Sequence, residues 1–187
     1  QTDFGLTNSG AESYLSLNNA HTIAASGDSI HVVFTENREN LTSVFYKRSV
    51  DGGISWTPDI LISGTLDNSR SASIAVIGQR VHVAWSKIEM GLYEIYYRTS
   101  TNGGNDWRPL VNIISNNSIN VDNPAIALTG AYVHFTWQSE FSTNQGFISY
   151  RNSSNYGVNW GTNQQLTIGD YRGSPSVCAS GNNVLIA

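Results

Sequence analysis

The sequence predicts an all-β fold made of repeated four-stranded units, and three observations support this prediction. An eight-residue motif occurs three times, at 49–56, 100–107 and 153–160, with offsets of 51 and 53 residues. Between the motifs lie short segments rich in β-branched and aromatic residues, which are typical of strands. No segment keeps the 3.6-residue hydrophobic period of an amphipathic helix over several turns. A period of this length indicates a repeat architecture.

Single residues recur in register with the motif, which strengthens the evidence for a repeat. Glycines occur at equivalent places, namely Gly27, Gly78, Gly130 and Gly181. Histidines follow the first three glycines and tyrosines precede each motif, at His31, His82, His134, Tyr46, Tyr97 and Tyr150. A catalytic residue would break the repeat, whereas a structural residue would follow it. We therefore predict structural, hydrogen-bonded roles for the three histidines.

Each repeat is predicted to contain four strands, as the second repeat illustrates. The first strand covers 73–76 and the second covers 80–86, with a glycine in the tight turn between them. The third strand covers 93–99, the motif then turns the chain, and the fourth strand covers 110–114. Both faces of these strands are apolar, which is typical of sheets stacked on both sides. Cys178 lies in a similar apolar segment and is expected to be buried.

The composition is that of a folded domain with few charges. The chain has 187 residues, of which 40% are hydrophobic and 13% charged, and its formal net charge is −4. The apolar content excludes a disordered chain, and the acidic balance argues against nucleic-acid binding. One cysteine excludes a disulfide framework, and no Cys/His set has zinc-ligand spacing. We expect neither a metal nor a cofactor. We also expect no membrane span, because no run of about 18 apolar residues occurs.

A repeat of about 51 residues with four antiparallel strands is the sequence form of a β-propeller blade. WD40 blades are shorter and end in a Trp-Asp pair that is absent here. Kelch blades have a similar length and a Gly-Gly pair, but the eight-residue motif argues against them. The chain length divided by this repeat gives about 3.7 blades, fewer than the four to eight that close a ring.

The chain is therefore expected to be a single partial propeller. Its predicted parts are a last strand of a preceding blade with a link (1–18), three blades (19–69, 70–121 and 122–172) and two strands of a further blade (173–187). We expect a six- to eight-bladed ring that is either truncated here or completed by self-association, because unpaired strand edges invite association. The start at Gln1 favours a processed chain or a fragment.

The eight-residue motif resembles the Asp-box, also called the BNR repeat, with the pattern Ser-x-Asp-x-Gly-x-Thr-Trp. Its defining positions are Ser49, Asp51, Gly53 and Trp56 in the first copy, Ser100, Asn102, Gly104 and Trp107 in the second, and Ser153, Asn155, Gly157 and Trp160 in the third. The Ser and Asp or Asn side chains can hydrogen-bond backbone N–H groups of the turn, and the Trp can pack between sheets. The chain is thus similar to the sialidase-like propeller superfamily over nearly its whole length.

Strand alternation sorts the predicted loops between two faces. The Asp-box turns and the turns after the first strands lie on one face, and the remaining loops and links lie on the other. In the sialidase-like family the ligand face is the one opposite the Asp-boxes. Carbohydrate recognition combines aromatic rings with amide, hydroxyl and charged groups, so the candidate ligand contacts are Glu36, Phe141, Asn144 and Tyr171.

The resemblance also implies candidates for a catalytic site. Sialidases bind the sugar carboxylate with three arginines, and use an Asp as acid/base and a Tyr–Glu pair as nucleophile. The candidates on the ligand side are Arg38, Arg70 and Arg172 for the arginines and Asp67, Asp122 and Asp170 for the acid. The family's Arg-Ile-Pro signature is absent, and the sequence assigns no Tyr–Glu pair.

Three functions remain open at this point. The first is a secreted or cell-surface propeller that binds glycan or protein without catalysis, which the absent catalytic signatures favour. The second is a fragment of an exo-glycosidase that hydrolyses terminal sialosides. The third is a structural or adhesive module of a larger surface protein. Few charges, one cysteine and many Asn, Ser, Thr and Gly residues suit a secreted bacterial protein.

Overall fold

The computed structural model describes residues 7, 12–14, 21–65, 67–114, 119–142, 145–167 and 173–187, with only the backbone described at 141 and 142. Every regular element in these ranges is a β-strand, and all strand pairs are antiparallel. The predicted all-β fold is therefore confirmed. None of the described residues forms a helix that could cross a membrane.

The first sheet contains five strands. They are β1 (Ser13–Tyr14), β2 (Ile23–Ser26), β3 (Ser29–Arg38), β4 (Leu41–Ser49) and β5 (Ile60–Leu61). The short β2 pairs with the first part of β3, ending at Ile23 opposite Val32, and β1 pairs further along, with Ser13 opposite Glu36. The sequence assigns 1–18 to a preceding blade and a link. Within that segment, β1 pairs with the second half of β3, along the edge that β2 does not reach.

Two further sheets have four strands each, and a fourth has two. The second sheet consists of β6 (Ser69–Ile77), β7 (Arg80–Glu89), β8 (Leu92–Ser100) and β9 (Val111–Ile114). The third consists of β10 (Asn120–Thr129), β11 (Tyr132–Ser142), β12 (Gln145–Ser153) and β13 (Gln164–Gln165). The last pair is β14 (Val177–Ser180) and β15 (Asn183–Ile186). The four strands predicted for the second repeat are all present.

The first strand of the second sheet begins at Ser69, earlier than predicted, and the first strands of the second and third sheets each contain a β-bulge. The register shifts between Arg70 and Ser73 in β6, and at the equivalent place in β10. Ser71 and Asn123 lie inside these bulges with φ of 56° and 54°. Such left-handed backbone is uncommon outside glycine, and bulges often re-aim side chains beside functional sites.

The sheets stack face to face, with their first strands as neighbours. The Ile74 N–H donates to the carbonyl of His21 at 2.8 Å, and the Ile126 N–H donates to Ser73 Oγ at 3.2 Å. The core between the first and second sheets includes Val33, Tyr46, Val83 and Trp85, and the core between the second and third includes Ile95, Tyr97, Phe135 and Trp137. Both faces of the second sheet are therefore buried, as the apolar strands predict.

A tyrosine of one blade packs against the Asp-box turn of the next. The Tyr46 ring lies edge-on to Trp107 at 4.9 Å between centroids, and Tyr97 lies likewise against Trp160 at 5.4 Å. A Cβ at Gly104 would collide with the Tyr46 hydroxyl, and the φ of this glycine is +84°. The position therefore requires glycine both for its backbone and for the close approach.

The turns and links lie at opposite ends of the second sheet, as the alternation of strand direction predicts. The Asp-box turn of the second sheet touches the turn after its first strand, where the Gly103 N–H donates to the carbonyl of Gln79 at 2.7 Å. At the other end of the sheet, the Ile88 N–H donates to the carbonyl of Asn68 in the link, at 3.3 Å.

Cys178 is exposed, so the expectation of a buried thiol is wrong. It lies in β14 beside Val177, which packs against Ala125 and Ala127 of the third sheet. Successive side chains of a strand point to opposite faces, so Cys178 lies on the face of the fourth sheet that no described residue covers.

Candidate functional site

The first Asp-box turn is closed by side-chain hydrogen bonds to its own backbone. Ser49 Oγ accepts a hydrogen bond from the Gly53 N–H at 2.8 Å and donates one to Asp51 Oδ1 at 2.7 Å. Asp51 also accepts from the Ser55 N–H at 2.8 Å and from the Ser55 hydroxyl at 2.5 Å. The hydrogen bonds from Ser49 and then Ser55 stabilise the ionised carboxylate and lower the pKa of Asp51 to about 2.

The other two Asp-box turns have the same hydrogen bonds with asparagine in place of aspartate. Asn102 Oδ1 accepts from the Asp106 N–H at 2.9 Å, and Asn155 Oδ1 accepts from the Asn159 N–H at 2.8 Å. The serine hydroxyls bind glycine N–H groups at 2.8 Å for Ser100 and Gly104 and 2.9 Å for Ser153 and Gly157. A neutral amide oxygen is thus enough for the turn, which favours a structural role for Asp51 over a catalytic one.

Each of the three repeated histidines makes the same kind of hydrogen bond, to the repeated tyrosine of its own blade. Their Nδ1 atoms contact the tyrosine hydroxyls in the pairs His31–Tyr46, His82–Tyr97 and His134–Tyr150. The Nε2 atoms of His31 and His134 are buried without a hydrogen bond among the described residues, so the prediction of hydrogen-bonded histidines holds there for one nitrogen only. Burial lowers the pKa of His31 to about 4 and that of His82 to about 3.

A cleft with both polar and apolar lining lies on the face opposite the Asp-box turns. It consists of two adjoining cavities of about 460 and 370 Å³ that share Arg70, Asp122, Asn123 and Ser174, and we name it the blade-link cleft. The larger cavity is also lined by Thr35, Thr42, Tyr14 and Tyr93, and the smaller by Gln138 and Glu140. The cleft thus lies at the bulged starts of β6 and β10 and beside the start of β14.

Arg70 is held in this cleft by two groups. Its Nη2 pairs with Asp122 Oδ2, and its guanidinium lies over the Tyr93 ring at 3.7 Å from the centroid. The Arg70 side chain is 47% exposed and that of Asp122 is 14% exposed. Asp122 also accepts a hydrogen bond from the Asn123 N–H at 2.7 Å. Both charges of the pair are therefore partly satisfied before any ligand binds.

The two bulges are joined by side-chain hydrogen bonds. Ser71 Oγ donates to Asn123 Oδ1 at 3.0 Å, and Asn123 Nδ2 donates to Gln138 Oε1 at 3.1 Å. These bonds link the second and third blades beneath the ion pair and fix the left-handed Ser71 and Asn123 in place. Strained backbone of this kind is concentrated at functional sites, which is consistent with a ligand-binding role for the cleft.

No family model and no curated protein sequence matches the chain. Solved structures do match. A Trypanosoma rangeli sialidase in complex with 2,3-difluorosialic acid, a covalent intermediate, is similar with a TM-score of 0.65 and 13% identity, over 90% of this chain and 33% of the sialidase. A Hadza microbial sialidase gives a TM-score of 0.58 and 14% identity, over 87% of this chain and 40% of that one.

The chain has the fold of the sialidase-like β-propellers. A GH43 endo-arabinanase from Bacillus licheniformis is also similar, with a TM-score of 0.57 and 14% identity over 92% of this chain and 66% of the arabinanase. This propeller chain spans about a third of the length of the Trypanosoma rangeli sialidase. Identity at this level shows the fold alone.

Arg38 and Glu36 lie in this sialidase-like propeller outside the blade-link cleft. Arg38 pairs with Glu36 and with Asp59, the latter at 2.8 Å, and lies over the Phe45 ring at 3.8 Å from the centroid. The Glu36 side chain is fully buried. Because Thr35 lines the cleft and its neighbour Glu36 points to the opposite face of β3, the structure does not bring Arg38 and Glu36 together with Arg70.

Asp67 is engaged in the link and does not line the cleft. Its carboxylate accepts a hydrogen bond from Ser69 and pairs with Lys87 Nζ at 3.2 Å, and the same ammonium pairs with Glu89 at 2.9 Å. Asn144, Asp170, Tyr171 and Arg172 lie outside the described residues, and Phe141 lies in β11 with its side chain undescribed. Of the three predicted arginines, Arg38 lies apart from Arg70, and a role for Arg172 beside Arg70 remains a prediction.

The structure also contains a Tyr–Glu pair that the sequence analysis does not assign. The Tyr96 hydroxyl donates to Glu89 Oε1 at 3.0 Å, and burial, followed by this hydrogen bond, raises the pKa of Tyr96 to about 12. Tyr93 and Tyr96 are three positions apart in β8, so they point to opposite faces of the second sheet. The pair therefore lies across the sheet from the Tyr93 side of the cleft. The tight turn at 90–91 fixes the pairing of β7 with β8, which places Glu89 and Tyr96 on one face of the sheet. This turn is the signal in the sequence that would have revealed the pair.

Among the described residues, no group of three His, Cys, Asp or Glu side chains could hold a metal ion.

Proposed function

We propose that this sialidase-like propeller is a secreted or cell-surface bacterial protein that binds glycans in the blade-link cleft without hydrolysing them. The observation on which this proposal rests is the lining of the cleft, where Asn123 and Gln138 amides and Thr and Ser hydroxyls surround a held ion pair. Sugar recognition needs such hydrogen-bonding groups beside aromatic rings.

The aromatic part of the cleft is supplied by two tyrosines. Tyr93 lies against the Arg70 guanidinium and lines the larger cavity. Tyr14 lines the same cavity with 47% of its surface exposed, so its ring offers an apolar platform for the C–H face of a sugar. The bulge at Asn123 places one amide in the same cavity as both rings, which supports a site for a hydroxyl-rich ligand.

Binding is favoured over hydrolysis by the state of the carboxyl groups in the cleft. Glycoside hydrolysis uses two carboxyl groups, or an equivalent acid and nucleophile, on either side of the scissile bond. Among the described residues of the cleft, these groups are Asp122 and Glu140. Asp122 is paired with Arg70 and accepts the Asn123 N–H, and neither Tyr96 nor Glu89 is among the described lining residues of the two cavities.

The test is a glycan array followed by calorimetric titration of the strongest ligand. Asn123→Gly removes the amide while permitting the left-handed backbone, and we expect it to weaken binding about tenfold, as the loss of one or two hydrogen bonds would do. Asp28→Asn, on the Asp-box face, is the control and should leave affinity unchanged. A protein that binds no glycan would refute the proposal.

A second candidate function is hydrolysis of terminal sialosides, with these blades as part of a sialidase-like exo-glycosidase. It is favoured by the Arg70–Asp122 pair in the cleft and by the Tyr96–Glu89 hydrogen bond. A fluorogenic sialoside would be cleaved by the unmodified protein, and Tyr96→Phe and Arg70→Ala would each abolish that turnover. Turnover that survives both substitutions would exclude these residues as its catalysts.

A further inference from the structure

We infer that the blade-link cleft selects uncharged sugars and discriminates against sugars that carry a carboxylate. This inference rests on the proposed glycan binding and names its ligand class. It differs from what a likeness to sialidases would lead one to expect, and it follows from how the single described guanidinium of the cleft is engaged.

Arg70 is the group that a sugar carboxylate would need, and Asp122 already compensates part of its charge. Its Nη2 is paired with Asp122, whose side chain is only 14% exposed. One face of the guanidinium is covered by the Tyr93 ring at 3.7 Å. A ligand carboxylate that reached the other N–H groups of Arg70 would share the guanidinium with Asp122 and would be repelled by the charge of that carboxylate.

The remaining charge around the cleft is unfavourable for an anion. Its described lining contains one cation, Arg70, and two carboxyl groups, Asp122 and Glu140. Asp122 is mostly buried, so solvent and salt screen it less than a surface charge. A carboxylate entering the smaller cavity would therefore meet the negative charge of Asp122 beside that of Arg70.

Uncharged groups dominate the rest of the cleft. The larger cavity presents Thr35, Thr42 and Ser71, and the smaller presents Gln138, while Asn123 and Ser174 belong to both. Hydroxyl and amide groups both donate and accept hydrogen bonds, which matches sugar hydroxyls without requiring a charge on the ligand. The lining is therefore complementary to a neutral oligosaccharide.

The test compares matched glycans on one array, where each neutral galactose-terminated oligosaccharide stands beside its sialylated form, together with neutral glucose- and arabinose-based oligosaccharides. For the unmodified protein we expect each bound neutral glycan to bind more tightly than its sialylated form. Asp122→Asn removes the charge that competes for Arg70. We expect it to shift the ratio of sialylated to neutral affinity upward about twofold to fivefold, because an ion pair with a half-exposed arginine contributes only a modest energy.

Asp28→Asn changes the net charge by the same amount on the Asp-box face, so it controls for the overall field and should leave the ratio unchanged. A ratio that rises only for Asp122→Asn supports the inference. Stronger binding of sialylated glycans by the unmodified protein, or a ratio that Asp122→Asn does not change, overturns it while leaving glycan binding intact. Failure of every glycan, neutral or sialylated, to bind overturns the proposed function itself.

Discussion

Replacing Gly104 with alanine tests the contact in which a tyrosine of one blade packs under the Asp-box turn of the next. The backbone at Gly104 has φ of +84°, and left-handed backbone costs an alanine about 1–2 kcal/mol. The added Cβ would also collide with the Tyr46 hydroxyl and lie 2.7 Å from its Cζ. Overpacking in a tight core costs about 1–3 kcal/mol more. We therefore expect Gly104→Ala to lower the free energy of unfolding by about 2–5 kcal/mol.

The first blade provides a matched control for the backbone part of this cost. Gly53 occupies the same position of its Asp-box with φ of +92°, but a Cβ there would meet only Ile30 at 3.6 Å and Trp56 at 4.0 Å, which are ordinary contacts. Gly53→Ala should therefore cost only the backbone strain of about 1–2 kcal/mol. The difference between the two variants, about 1–3 kcal/mol, measures the collision with Tyr46.

Urea unfolding at equilibrium gives these energies, provided that the denaturant slope stays constant among the variants. Tyr46→Phe removes the hydroxyl nearest to the added Cβ, so Gly104→Ala should cost less in that background, and a double-mutant cycle separates this effect from the loss of the His31 hydrogen bond. Equal losses for Gly104→Ala and Gly53→Ala, or a cost of Gly104→Ala that Tyr46→Phe leaves unchanged, would refute the packing argument.

The remaining predictions concern pH and the Asp-box charge. The folded-state pKa values of His31 and His82, about 4 and 3, lie below the ordinary value near 6.5, so the unfolded chain binds protons that the fold excludes. The stability that these neutral histidines contribute is present above about pH 6.5 and is lost as the pH falls towards those values. His82→Gln should therefore reduce the pH dependence of the free energy of unfolding, measured in urea between about pH 6.5 and 4. An unchanged slope with pH would contradict this. Asp51→Asn should change stability by less than about 0.5 kcal/mol, because Asn102 and Asn155 hold the same turn without a charge, whereas Asp51→Ala should cost about 1 kcal/mol or more. Equal effects of the two Asp51 variants in urea unfolding would show that the charge matters.

The repeating part of the fold could be predicted from the sequence because each element carries its own local signal. The glycine turns, the eight-residue motif and the apolar strands recur in register, and the strands of the second sheet occur where these signals place them. The bulge at Arg70–Ser73 could not be predicted, because a serine rather than a glycine occupies its left-handed position. The pairing of β1 with β3 is likewise a long-range contact between two short segments.

The candidate site was harder to predict than the fold, since it depends on which face of a strand each side chain occupies. Arg38 and Arg70 both belong to the predicted ligand side, but β3 directs Arg38 towards Glu36 and Asp59, away from the cleft. One position of difference in a strand decides between the two faces. The partners of Arg70, Asp122 and Tyr93, come from the next blade and from the neighbouring hairpin, and no local pattern in the sequence joins these three residues.

The tyrosine that fits under the next Asp-box gives the second blade two different surfaces, an inserted ring on one side and a receiving glycine and tryptophan on the other. Tyr46 enters the second blade at Gly104, and Tyr97 enters the third at Gly157. A blade copied in tandem would bring both surfaces with it and could join its parent at once. Gene duplication can therefore lengthen such a protein one blade at a time, while a substitution in either surface restricts which blades can follow one another.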